Sequence, residues 1–119
     1  MNASIRSTLA CLALACGHAA WAGGYTALAV PTRIDVVRSE GFMVYGAFGN
    51  PGGCTFGDQV FVKLSHTQYK QIYAAALAAY MSKNKVVAYV GGCEAVTWYS
   101  IPSNTFGIVD SSTSLSIAD

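Results

Sequence analysis

Four sets of residues could do chemistry by type and spacing: His66, the pair Cys54 and Cys93, the carboxylates Asp35, Glu40, Asp58 and Glu94, and the glycines Gly46, Gly49, Gly52 and Gly53. None assembles into a catalytic set. The chain has two histidines, and His18 falls in a segment that reads as a removable leader, so a two-histidine zinc site cannot form within one mature chain. Serines and aspartates are available for a triad through His66, which leaves a small hydrolase as a third reading. His66 stands where a helix is expected to begin, and there a solvated surface histidine is the commoner role. The carboxylates show no spacing that selects a pair for glycoside hydrolysis. The glycines lead to Cys54 without opening a helix, whereas anion cradling relies on a helix N-terminus. Turns and bulges are their expected use. No Gly-x-Ser-x-Gly elbow or Gly-x-x-x-x-Gly-Lys loop occurs. No catalytic residue, metal site or cofactor is therefore expected, and the chain reads as a non-enzyme.

The cysteines take their meaning from the N-terminus. Arg6 supplies a positive charge, residues 7–16 are apolar, and Ala20-Trp21-Ala22 is a small-x-small cleavage site. Residues 1–22 therefore read as a signal peptide cut before Gly23. The apolar run falls short of the ~20 residues that span a bilayer, so no membrane anchor is expected. An acylated Cys16 is disfavoured, because Ala13 stands where such signals want leucine. Removing 22 of 119 residues leaves 97, enough for one domain over residues 23–110, with residues 111–119 as a serine-rich tail or loose closing strand. Cys11 and Cys16 leave with the leader. Cys54 and Cys93 can pair in only one way, and in the oxidising periplasm or outside the cell they read as a disulfide. Closing a loop of about 40 residues stabilises by roughly 4 kcal/mol. Without Arg6, six basic residues balance six acidic ones. That leaves no basic field to attract nucleic acid or an anionic membrane.

The elements that must position these groups follow from periodicity. Residues 25–30 suggest a short strand or arm before Pro31. Residues 33–37 and 42–48 are β-rich runs around a turn ending in Gly41, which is a hairpin signal. Residues 59–64 alternate, with Val60, Val62 and Leu64 on one side. Ser65 and Gln68 fit a capping box opening a helix over residues 69–85. On that helix Tyr69, Ile72, Tyr73, Ala76, Leu77 and Tyr80 fall on one core-facing arc. Asn84 suits a left-handed cap. A strand over residues 86–90 closes at Gly91-Gly92, and residues 95–101 and 106–109 are the last β-type runs. The predicted class is mainly β with one α-helix, and the order β-β-β-α-β-β is that of a small OB-fold-like antiparallel barrel plugged by its helix.

Two surfaces remain. Tyr89, Trp98 and Tyr99 exceed what one small core needs, and neighbours on a strand face opposite sides. Exposed aromatic rings stack on sugars or bury in partner proteins. On the helix, Gln71, Ala74, Ala75 and Ala78 form a small uncharged rear face that a second copy could approach, giving a candidate homo-oligomer.

The stretch YKQIYAAALAAYMSKNKVVAYVGGC joins an aromatic, alanine-rich helix to a valine-rich strand through a Lys/Asn turn. In this it resembles small secreted proteobacterial domains and, more distantly, is similar to the family of the subtilase cytotoxin B subunit. That resemblance implies an OB-fold, assembly as a pentamer and binding of sialylated glycans. It also implies a sugar-contacting hydroxyl at Thr32 and a tyrosine late in the strand after the helix, where this chain has Val90, with Tyr89 one step away on the other face. The expected function is a secreted or periplasmic module binding a glycan or protein partner. The alternative is a structural or inhibitory periplasmic domain.

Overall fold

The structure, a computed structural model, describes residues 23–96 and 104–118. Eight strands and one helix lie among them: β1 (Gly24–Tyr25), β2 (Arg33–Val37), β3 (Gly41–Tyr45), β4 (Gln59–Lys63), α1 (Tyr69–Ser82), β5 (Val86–Val90), β6 (Gly92–Ala95), β7 (Thr105–Val109) and β8 (Leu115–Ile117). The chain is mainly β with one helix. Its strands form two sheets, ordered β2-β3-β4-β7-β6 and β1-β5-β8, with no closed barrel. Neighbouring strands are antiparallel except β4 and β7, which run parallel from Val60↔Gly107 to Val62↔Val109. An all-antiparallel set was expected. The parallel pair arises because α1, β5 and β6 supply the long connection that parallel neighbours require.

The β2–β3 hairpin forms as its sequence suggests, in the register Val37↔Gly41 to Arg33↔Tyr45. Gly41 is required there: its φ is +148°, and a Cβ would overlap the Val62 carbonyl. Beyond it β3 is buried on both faces. Phe42 and Val44 turn to the main core with Val60, Val62 and Val109, while Met43 turns to a second cluster with Val37, Phe61, Val96, Phe106 and Ile108. The period of two puts these alternate residues on opposite faces of one sheet. Leu64, expected in line with Val60 and Val62, lies beyond the end of β4 and is exposed.

The helix closes the main core with Ile72, Ala76 and Ala79, which meet Val86, Ala88, Val90 and Leu115 of the small sheet. Tyr69 and Tyr73 pack their rings edge-on to Phe42, at 5.4 and 5.1 Å between centroids. Burial, with Tyr73 alongside, holds the Tyr69 phenol above its ordinary pKa. Two residues face differently from the expected arc. Leu77 is 40% exposed, and Ala79 takes its place in the core. Ala75, expected on the rear face, packs against the core, whereas Gln71, Ala74 and Ala78 are exposed.

Both helix ends differ from their expected caps. No side chain caps the N-terminus at Gln68. The Gln68 N–H donates to His66 Nδ1 at 3.0 Å, and His66 Nε2–H donates to the Thr113 carbonyl at 2.9 Å. His66 is therefore buried, at 6% exposure, and is not the solvated residue expected. At the other end Lys83, not Asn84, takes the left-handed conformation, with φ 63°. The last residues also form structure. Leu115–Ile117 pairs with β5, and Leu115 is buried. The expected closure at Gly91-Gly92 is confined to Gly91, since Gly92 already opens β6 in the larger sheet. The strand expected over residues 95–101 falls mostly on residues 97–103, outside the described set.

Candidate functional site

On the small sheet, Val86, Ala88 and Val90 point inward, and Val87 and Tyr89 face away from the core and are half-buried. The register places Tyr25 of β1 directly across from Tyr89. Their rings meet at 4.8 Å between centroids and 88° between planes, and Tyr25 is 70% exposed. Tyr25 was not singled out by sequence, since only the pairing of β1 with β5 brings it to Tyr89. Val90, where the resemblance would want a sugar-binding tyrosine, is in the core at 1% exposure.

Thr32 is exposed, and its hydroxyl donates to the Tyr45 carbonyl at 3.3 Å. Beside it, Arg33 lies over the Tyr45 ring at 4.8 Å and pairs with Asp35 at 2.8 Å. The antiparallel run from Gly24↔Val90 to the Ala29↔Val86 bridge carries Thr32 away from Tyr89. Thr32 is seven steps along the chain from Tyr25, on the order of 20 Å if extended. The structure therefore does not join Thr32 and Tyr89 into one site. Trp98 and Tyr99 lie outside the described residues.

Two concavities lie apart from these side chains. One, of about 650 Å³, is lined by Gly52, Gly53, Cys54, Thr55, Gly91, Gly92, Cys93 and Thr105. The Cys54–Cys93 disulfide lies in its wall, with 5.5 Å between Cα atoms. Across it, the Thr55 and Thr105 hydroxyls sit 3.1 Å apart. The other, of about 520 Å³, lies between the β2–β3 turn and the end of β6, where Lys63 pairs with Glu94 at 2.9 Å. Among the described residues no three His, Cys, Asp or Glu side chains converge as a metal site. No described helix is long and apolar enough to cross a membrane.

Residues 110–113 pack against the position where a Gly91 side chain would stand. Asp110 accepts hydrogen bonds from the Ser112 hydroxyl at 2.6 Å and the Ser112 N–H at 3.0 Å. These bonds, the hydroxyl's first, hold the Asp110 carboxyl below its ordinary pKa of 3.8. A depressed folded-state pKa contributes stability above the unfolded-state value, and that stability is lost as pH falls through the folded-state value. Asp110→Asn should therefore show a flatter fall in Tm than wild type as pH drops from 5 to 2, measured by circular dichroism. Parallel curves would rule this out.

No family model, curated protein or solved structure matches the chain.

Proposed function

We propose that the protein is an exported, non-enzymatic binding module with OB-like topology that takes a glycan on its strand surface. The observation that carries this is the Tyr25–Tyr89 pair, with one ring 70% exposed on the outer face of the small sheet. A standing aromatic ring that leaves this much apolar surface in water offers a stacking face to a sugar ring. The leader-like N-terminus and the disulfide support export. OB-like topology is supported by three consecutive antiparallel strands, the helix before the next strand, and β7 returning beside β4. The Gly91 N–H to Ile108 carbonyl bond also ties the passage from β5 to β6 onto β7. A non-enzymatic role is supported at His66, where both ring nitrogens are engaged by backbone groups. Tyr25→Ala should weaken glycan binding about 10-fold, corresponding to roughly 1.5 kcal/mol of lost ring contact. Tyr25→Phe should retain it. Calorimetry against a ligand found on a glycan array reads both, and an unchanged affinity in Tyr25→Ala would count against the platform.

A second reading, a protein partner or a ring of copies, is favoured by the exposed stripe Ala74, Leu77, Ala78 and Met81 on α1, where Met81 is 72% exposed. Light scattering showing only a monomer would remove the ring.

A further inference from the structure

We propose that the Cys54–Cys93 bridge is a thiol-exchange site, entered from the glycine-lined concavity by a small thiol while the protein stays folded, with Cys93 as the sulfur attacked. The proposal is independent of what the tyrosines bind. A bridge enclosed by a core is inert, whereas one that borders solvent is open to exchange. This one lies in the wall of a space of about 650 Å³, and the rest of the lining is four glycines and two threonines. No long side chain of the lining can fold over the sulfurs. A Cβ on Gly52 would lie 3.3 Å from Cys54 Sγ and 3.4 Å from Cys93 Sγ, so any larger residue there would stand against both. Around a Cβ on Gly53 there is nothing within 4 Å. The volume is within the range of about 300–1,000 Å³ common for small-ligand sites.

The two sulfurs differ in their surroundings. Cys54 is buried, at 8% exposure, and Asn50 clamps its backbone: the Asn50 amide donates to the Cys54 carbonyl at 2.8 Å and accepts from the Cys54 N–H at 2.9 Å. Cys93 is half-buried on β6, which among the described residues pairs with β7 alone. Directly across from it stands Gly107, and the next side chain on its face of β6 is Ala95, so neither neighbour covers it. The Val90 side chain fills the space over Gly107, 3.0 Å from where a Cβ would be. That walls one side and leaves the concavity as the approach to Cys93 Sγ. A thiolate entering there forms a new S–S bond to Cys93, the Cys54–Cys93 bond breaks, and its electron pair leaves on Cys54 as a thiolate that takes a proton from water. A second thiolate then releases Cys93, so two thiols are oxidised to one disulfide for each bridge reduced. The threonine hydroxyls and the backbone amides beside the glycines suit a short peptide thiol of the glutathione kind.

The test uses protein purified after expression of the full chain, treated with dithiothreitol under conditions where it is folded. The initial rate of bridge opening should be first order in dithiothreitol and change by less than about twofold as urea rises to about 1 M, whereas a bridge reachable only after unfolding would open about fivefold or more faster per molar urea. That steeper rise would overturn the proposal. Brief exposure to excess glutathione, quenched with N-ethylmaleimide and mapped by peptide mass, should place glutathione on Cys93 and maleimide on Cys54. The reverse placement would overturn the assignment to Cys93, and an adduct that forms in denaturing urea but not in the folded protein would overturn the site. Gly52→Ala, in protein with the circular dichroism of wild type, should open at least about threefold more slowly when folded and match wild type in denaturing urea. Equal folded-state rates would overturn entry past Gly52.

Discussion

Replacing both Cys54 and Cys93 with alanine will lower the free energy of unfolding by about 4 kcal/mol, read as a fall in the urea midpoint at unchanged pH. The bridge joins residues 39 apart in sequence. The enclosed segment contains β4, α1 and β5, so the unfolded chain loses the freedom to separate a large part of both sheets. Native packing changes little by comparison, because Cys54 is a small buried side chain and Cys93 is only half-buried. A domain of this size holds only about 5–15 kcal/mol in total. With each 1 kcal/mol worth about 4–8 °C, the double variant should melt some 15–30 °C below wild type. Wild type under a strong reductant should follow the double variant. A loss below 1 kcal/mol would mean that the unfolded chain is already restricted near these residues.

The local elements were legible in sequence where a period or a breaker marks them. The β2–β3 hairpin follows from two β-rich runs and Gly41, and the disulfide from an even cysteine pair behind a leader-like N-terminus. What was not legible depends on pairing across the chain. The parallel β4–β7 contact is invisible to local pattern, because it depends on where β7 returns after the helix. Tyr25 gains its interest only from Tyr89 across the strand gap. His66 was misread for a related reason. Its environment is completed by Thr113, far along the chain, whose carbonyl accepts a hydrogen bond from the ring N–H and so offsets the cost of burial. Ser65-x-x-Gln68 is a valid local signal for a cap, yet the histidine ring receives the Gln68 N–H instead. Alanine-rich helices also blunt periodicity, since alanine suits the core and the surface alike. That is why Ala75 was misplaced while Ile72 and Ala76 were not.

The facing of the helix can be tested with a large and a small effect. Phe42→Ala should cost about 3–5 kcal/mol, the range for emptying a buried phenylalanine site. Phe42 is fully buried, pairs with Val36 and Val62 on the neighbouring strands, and receives the rings of Tyr69 and Tyr73. Truncation therefore removes two ring contacts as well as the buried area, and the small residues Ala76 and Ala79 leave little that could move in to fill the gap. Leu77→Ala should cost under about 1 kcal/mol, because that side chain is 40% exposed despite its place on the expected core arc. Ala79→Leu, by contrast, forces volume into a position at 0% exposure and should destabilise by about 1–3 kcal/mol. Equilibrium urea unfolding of the three variants decides between two settings of the helix. If Leu77→Ala were as costly as Phe42→Ala and Ala79→Leu were neutral, the helix would be turned by roughly half a turn from the setting described, since residues two apart differ by about 200° around the axis. The exposed stripe of Ala74, Leu77, Ala78 and Met81 would then no longer face outward for a partner.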